Sequence, residues 1–204
     1  MNLLTVKSMK RIVVSGVLLL SGFLPASGAV EETVGTLAKG TRSISFGGGV
    51  AVGTKIWGGA LRHDAAMANL RYGMIVSDLL AEESVFRGRF ELAGSFTYAQ
   101  HYKPNSSYLF DAASQIRYIF DSSEKWKPFA DIGIGFVYTD IGEPDLGGKF
   151  QFSPQGGIGV HRFFGPNFAL TFQQRYVHYS NGGIRSPNGG INQFVSLLSL
   201  TRFY

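Results

Sequence analysis

Val85-Phe86-Arg87-Gly88-Arg89-Phe90-Glu91-Leu92-Ala93-Gly94-Ser95-Phe96-Thr97-Tyr98 changes character at nearly every step. Phe86, Phe90, Leu92, Phe96 and Tyr98 fall on one side of an extended chain, and Arg87, Arg89, Glu91, Ser95 and Thr97 on the other. Successive side chains of a strand point to opposite faces, so this stretch reads as a strand with one apolar and one polar face, running on to residue 102. Seven further runs show the same alternation, at 43–52, 65–77, 108–120, 129–139, 149–163, 167–180 and 192–204. In the second of these Leu70, Tyr72, Met74 and Val76 oppose Asn69, Arg71 and Ser77; in the fourth Ile132, Ile134, Phe136 and Tyr138 oppose Asp131 and Thr139. The last run differs, because Val195, Leu197 and Phe203 make its second face less polar.

Eight such runs, each long enough to cross a bilayer at a tilt, predict an all-β fold, an eight-stranded antiparallel transmembrane β-barrel. A soluble lipocalin-type barrel has the same alternation turned inside out and stays open on periodicity alone. Aromatic residues near the ends of the apolar columns (Phe86, Tyr98, Tyr108, Phe120, Tyr138, Tyr176) favour the membrane, where they form interfacial girdles. So does a polar column that mixes small residues with Arg, Glu, Asp and Gln. Short connections are expected near 81–83, 122–124 and 165–166, and longer ones after the first, third, fifth and seventh strands, which puts both termini at the periplasmic end. Side chains fill the interior of an eight-stranded barrel, which argues against an open pore.

Composition agrees. The 204 residues include 27 Gly, 17 Phe and 9 Tyr but only 16% charged residues. Lys7, Lys10 and Arg11, then an apolar stretch and Ala26-Ser27-Gly28-Ala29, form the pattern of a secretory signal peptide. The expected domains are therefore a signal peptide at 1–29 and an outer-membrane barrel at 30–204. Removing the signal takes away three positive charges, so the formal charge falls from +5 to +2 and a nucleic-acid partner loses its basis. There is no cysteine, so the fold is held without disulfides.

One apolar column ends in an unexpected way. In the run at 167–180 it reads Phe168, Leu170, Phe172, Gln174, Tyr176, His178, Ser180. If that face meets lipid, a histidine and a serine two residues apart point outward at the outer edge of the hydrocarbon. Polar groups aimed at lipid are costly and mark function. A histidine beside a serine is the pairing an activated nucleophile needs, and the substrate met there would be a lipid ester. The other histidines read as ordinary: His161 as an interior packing residue, His63 and His101 as too far apart in sequence to imply a metal site. No G-x-S-x-G elbow and no Walker loop occurs.

His178-Tyr179-Ser180-Asn181, with Ser186-Pro187-Asn188 beyond it, resembles the outer-membrane lipid A 3-O-deacylases, the PagL-type acyloxyacyl hydrolases. That resemblance implies an eight-stranded barrel with its active site on the outer face. It implies His178 as general base, Ser180 as nucleophile, and Asn181 and Asn188 as candidates for the oxyanion hole, with neither cofactor nor metal. It implies lipopolysaccharide (lipid A) as substrate, outer-membrane lipid as surroundings, and the outer membrane of a Gram-negative cell as location; a homodimer stays open. The sequence departs from the family at the third catalytic position. The family places a glutamate fourteen residues after the histidine, where this chain has Asn192, and no acid follows Asp145. A hairpin that pairs 178 with 192 also pairs 172 with 198 and 170 with 200, so Asn192 is expected beside His178. Arg62, Lys103, Lys149 and Arg185 are candidates to attract lipid phosphates. The rival reading is a non-catalytic barrel of the same fold with a structural or adhesive role.

Overall fold

The computed structural model describes residues 35–204; the expected signal segment lies outside the described residues. Strands β1 (Arg42–Thr54), β2 (Asp64–Ile75), β3 (Gly88–Lys103), β4 (Ser107–Phe120) and β5 (Trp126–Thr139) are followed by β6 (Phe150–Phe152), β7 (Gln155–Phe163), β8 (Phe168–Tyr179) and β9 (Ile191–Phe203). Segments β6 and β7 both pair with β5 and form one barrel strand, interrupted where Pro154 has no amide hydrogen to give the ladder. Eight barrel strands result, each antiparallel to its neighbours. Pairing of β1 with β9, from Ser43↔Phe203 to Thr54↔Asn192, closes the ring. Closure leaves no unpaired sheet edge, which spanning a bilayer requires. The 14 residues of β4 rise roughly 46 Å, or about 33 Å along the barrel axis at a 45° tilt, more than the ~25 Å apolar band of an outer membrane.

The two faces separate as the alternation predicts. Phe46, Ile132, Phe136 and Ile158 are all at least 66% exposed, while Arg71, Glu91, Arg117 and Asp131 are at most 5% exposed. Exposed apolar side chains ringing a sheet with a charged interior belong in lipid, so the soluble-barrel alternative is excluded. Inside, Glu91, Arg117 and Asp131 lie directly opposite one another across β3, β4 and β5. The row alternates in sign, with Arg117 Nη2 2.8 Å from Asp131 Oδ2 and Arg71 Nη2 2.8 Å from Glu91 Oε2. His161 belongs to this interior, bonded to Thr171 Oγ1 at 2.7 Å and to Arg117.

Apolar clusters seal both ends. At the end that holds the C-terminus, the one expected to face the periplasm, Leu37 from the segment before β1 packs with Ile75, Ile119, Phe129, Phe163, Ala169 and Phe203. At the other end Val195 and Leu197 join Leu109, Val137, Ile141, Leu146 and Tyr179. The apolar second face of the last strand is thereby explained: its residues fill these plugs.

Two connections differ from expectation. The link between β2 and β3 spans 76–87 and is long, held by backbone bonds between Leu80 and Gly88 and by the Phe90 amide donating to Ser77 Oγ. Val85 and Phe86 belong to it and not to the strand. The outer link between β3 and β4, residues 104–106, is the short one. Loop 1 (55–63), loop 3 (140–149) and loop 4 (180–190) pack together at the outer end. Asp145 is the hub: its carboxylate accepts from the amides of Ala60 and Leu61 and contacts His63 Nε2 at 2.9 Å, and its carbonyl accepts from the Gly190 amide.

Candidate active site on the outer face

Strand β8 carries the site. His178 and Ser180 lie on its outward face, half-buried, where loops 1 and 4 overhang the lipid-facing surface. Their backbone is fixed by the neighbouring strand: the His178 amide donates to Pro154 O at 3.0 Å, and Ser180 exchanges two backbone bonds with Phe152. The register is the expected one, with His178↔Asn192, Phe172↔Leu198 and Leu170↔Leu200.

That register brings Asn192 Oδ1 to 2.7 Å from His178 Nδ1. An amide oxygen only accepts, so His178 carries its proton on Nδ1 and leaves the Nε2 lone pair available. Asn192 is 1% exposed although its position faces outward, because the Tyr176 and His178 rings and loop 1 cover it. Tyr176 donates its hydroxyl to the same Oδ1 at 2.8 Å, and Asn192 Nδ2 donates to Gly58 O at 3.4 Å. Gly190, at φ +78°, packs against the imidazole: a Cβ there would stand 2.7 Å from His178 Cε1. Among the described residues no acid bonds to His178; Asp145 faces His63 behind the loops.

Among the described residues, no hydrogen bond joins His178 to Ser180. Within the same described residues the Ser180 hydroxyl has no partner, and neither does His178 Nε2. The oxyanion candidates divide. Asn181, 4% exposed, is fully engaged: Nδ2 donates to Gly147 O and Arg185 O, Oδ1 accepts from the Gly183 amide, and its own amide donates to Asn188 Oδ1 at 3.0 Å. Asn188 Nδ2 has no partner among the described residues, and its amide plane is set by that last bond.

Two outward clefts flank the pair. One, of about 330 Å³, is lined by Trp57, Pro154, Tyr176 and His178. The other, about 500 Å³, is lined by Phe136, Phe150, Phe152, Asn181, Ile184 and Arg185, with Lys149 at its side. The four candidate cations separate as well: Arg62 and Lys103 face Asp64, whereas Lys149 and Arg185 have no acidic partner among the described residues. Sequence reasoning missed the loop hub. His63 comes from loop 1, His101 from the end of β3 and Asp145 from loop 3, and the His63 and His101 rings meet at 6.0 Å. The single sequence signal was that Asp145 is the last acid of the chain.

Fold and surface together define an outer-membrane β-barrel with a Ser/His pair facing lipid. Residues 64–201 match the family model described as lipid A 3-O-deacylase (PagL), and the chain belongs to that family. Lipid A deacylase PagL of Pseudomonas aeruginosa is 35% identical over 71 residues, which cover 33% of this chain and 39% of that protein; the match spans about two fifths of the relative's length. The crystal structure of the outer membrane enzyme PagL aligns over 77% of this chain and 97% of its own, with a TM-score of 0.53 and 22% identity. Neisserial surface protein A aligns over 80% of this chain and 99% of its own (TM-score 0.61, 15% identity), and Ail, the attachment invasion locus protein of Yersinia pestis, over 81% and 99% (0.52, 15%). Those structures share the fold alone; what the chain does rests on its family and its site.

Proposed function

We propose that the chain is a serine esterase that removes an ester-linked acyl chain from lipid A in the outer leaflet. The observation that carries this is His178, its Nδ1 held 2.7 Å from Asn192 Oδ1 and its Nε2 unpartnered, two residues before an unpartnered Ser180 on the lipid-facing side. Ser180 Oγ attacks the ester carbonyl and gives its proton to His178 Nε2. The tetrahedral oxyanion is met by Asn188 Nδ2, while Asn181 braces loop 4 behind it. Collapse returns the proton from His178 to the departing sugar oxygen and leaves Ser180 acylated. Water, deprotonated by the same nitrogen, releases the fatty acid. Catalytic hydrogen bonds often close only with substrate bound, so the open His178–Ser180 pair is compatible with this sequence.

The surroundings fit a lipid substrate. Phe136, Phe150, Phe152 and Ile184 offer an apolar trough for acyl chains, and Lys149 and Arg185 stand free to pair with phosphates at its side. Asparagine orients the histidine but supplies no charge to the imidazolium; in a serine protease losing that charge and the tautomer control together costs up to ~10⁴ in rate. Here the tautomer is retained, so the loss is smaller and the enzyme is slow.

The test is mass spectrometry of lipid A from cells that carry the protein in their outer membrane, beside Ser180→Ala. Loss of one acyl chain that disappears with Ser180→Ala supports the reading. Unchanged lipid A in the presence of folded wild-type barrel would sink it.

A further inference from the structure

Replacing a carboxylate by an amide beside a histidine creates a problem of orientation. A carboxylate presents an oxygen whichever way it turns. An amide turned over presents Nδ2, which only donates, and a histidine facing it must hold its proton on the other nitrogen. His178 would then carry Nε2–H and could not take the proton of Ser180. An asparagine at 192 supports catalysis only if something fixes its amide.

The structure contains such a device. Gly58 O can only accept, and it lies on the Nδ2 side at 3.4 Å. The Tyr176 hydroxyl lies on the Oδ1 side at 2.8 Å, nearer than its alternative acceptor, Ile56 O, at 3.4 Å. Tyr176 is itself held, its ring edge-on to Trp57 at 5.3 Å and to Phe194 at 5.2 Å. Loop 1 reaches Asn192 through three consecutive residues at positive φ: Trp57 at 66°, Gly58 at 114° and Gly59 at 88°. Trp57 has a Cβ and is strained there, and strain of this kind persists where the surroundings impose it. The turn is anchored just beyond, where the Ala60 and Leu61 amides donate to the Asp145 carboxylate.

We infer that Tyr176 and the Gly58 carbonyl form a clamp that fixes the Asn192 amide, so that an asparagine does the orienting work of the family's carboxylate. Tyr176 is thus a positioning residue that acts through Asn192 on the tautomer of His178. This rests on the proposed esterase reading for its consequence in rate, but not for its consequence in tautomer.

The test is a double-mutant cycle with Tyr176→Phe and Asn192→Asp, assayed for ester hydrolysis, together with ¹⁵N spectra of the histidines in the detergent-folded barrel. In the asparagine background, losing one hydrogen bond is expected to lower kcat about 5-fold with little change in KM. In the aspartate background, where either oxygen can serve, the same substitution is expected to cost less than about 2-fold. His178 in the wild type should show the Nδ1–H form, and in Tyr176→Phe a mixture with Nε2–H. Equal losses in both backgrounds, or pure Nδ1–H in Tyr176→Phe, would overturn the clamp. If no variant or wild type hydrolyses ester, the esterase reading fails, and the spectra alone decide the clamp.

Discussion

At the scale of single residues, the site depends on which atoms are left without partners. Among the described residues, Ser180 Oγ, His178 Nε2 and Asn188 Nδ2 have no partner, whereas Asn181 is occupied on every polar atom of its side chain. Asn188→Ala should therefore lower kcat by roughly 10²-fold while leaving the barrel folded, as removal of an oxyanion donor does. Asn181→Ala should instead loosen loop 4, and added protease should cut there first. Asn192→Asp should raise kcat by at least about 10-fold in the esterase assay, since a carboxylate also offsets the charge that develops on His178; an unchanged rate would mean that imidazolium charge does not limit this enzyme. The pair and its partner were legible in the sequence, because strand periodicity fixes which residues share a face and the hairpin register places 192 opposite 178. The state of Asn181 was not legible. Its bonds reach Gly147 and Arg185, and contacts between loops leave no periodic trace.

At the scale of elements, strands were readable and loops were not. Alternation located all eight barrel strands because one face meets lipid and the other a polar interior, and a slip of one residue would reverse every side chain. It made the turn at 76–87 too short, because Phe86 continues the apolar column past the end of the ladder. It also missed the interruption at Pro154, since a proline in a column of mixed residues does not disturb the period. The outer loops are held by Asp145 and by the burial of Ile141 and Leu146, contacts that carry no strand period. Asp145→Ala removes acceptors from Ala60, Leu61 and His63 together, and limited trypsin digestion should then cut at Lys55 and Arg62 well before the wild type is touched. Closure of the barrel depends on Gly49, where a Cβ would run into the Ser196 carbonyl of β9. Gly49→Val should abolish the folded, heat-modifiable form on gels.

At the scale of the whole molecule, the interior is a charged row sealed by two apolar plugs. Arg117 sits between Glu91 and Asp131 and is 1% exposed. Arg117→Met would leave two buried carboxylates short of a partner and should lower unfolding free energy by about 3–5 kcal/mol, read from denaturant titration of the refolded barrel. A plugged barrel leaves the outer surface as the place for chemistry, and the outward Ser/His pair, the flanking apolar clefts, Lys149 and Arg185 all lie there. Lipid A mass spectrometry on outer membranes that carry the wild type or Ser180→Ala tests this most directly. The account predicts one acyl chain fewer with the wild type and intact lipid A with the variant; intact lipid A with both, at equal amounts of folded barrel, would contradict it.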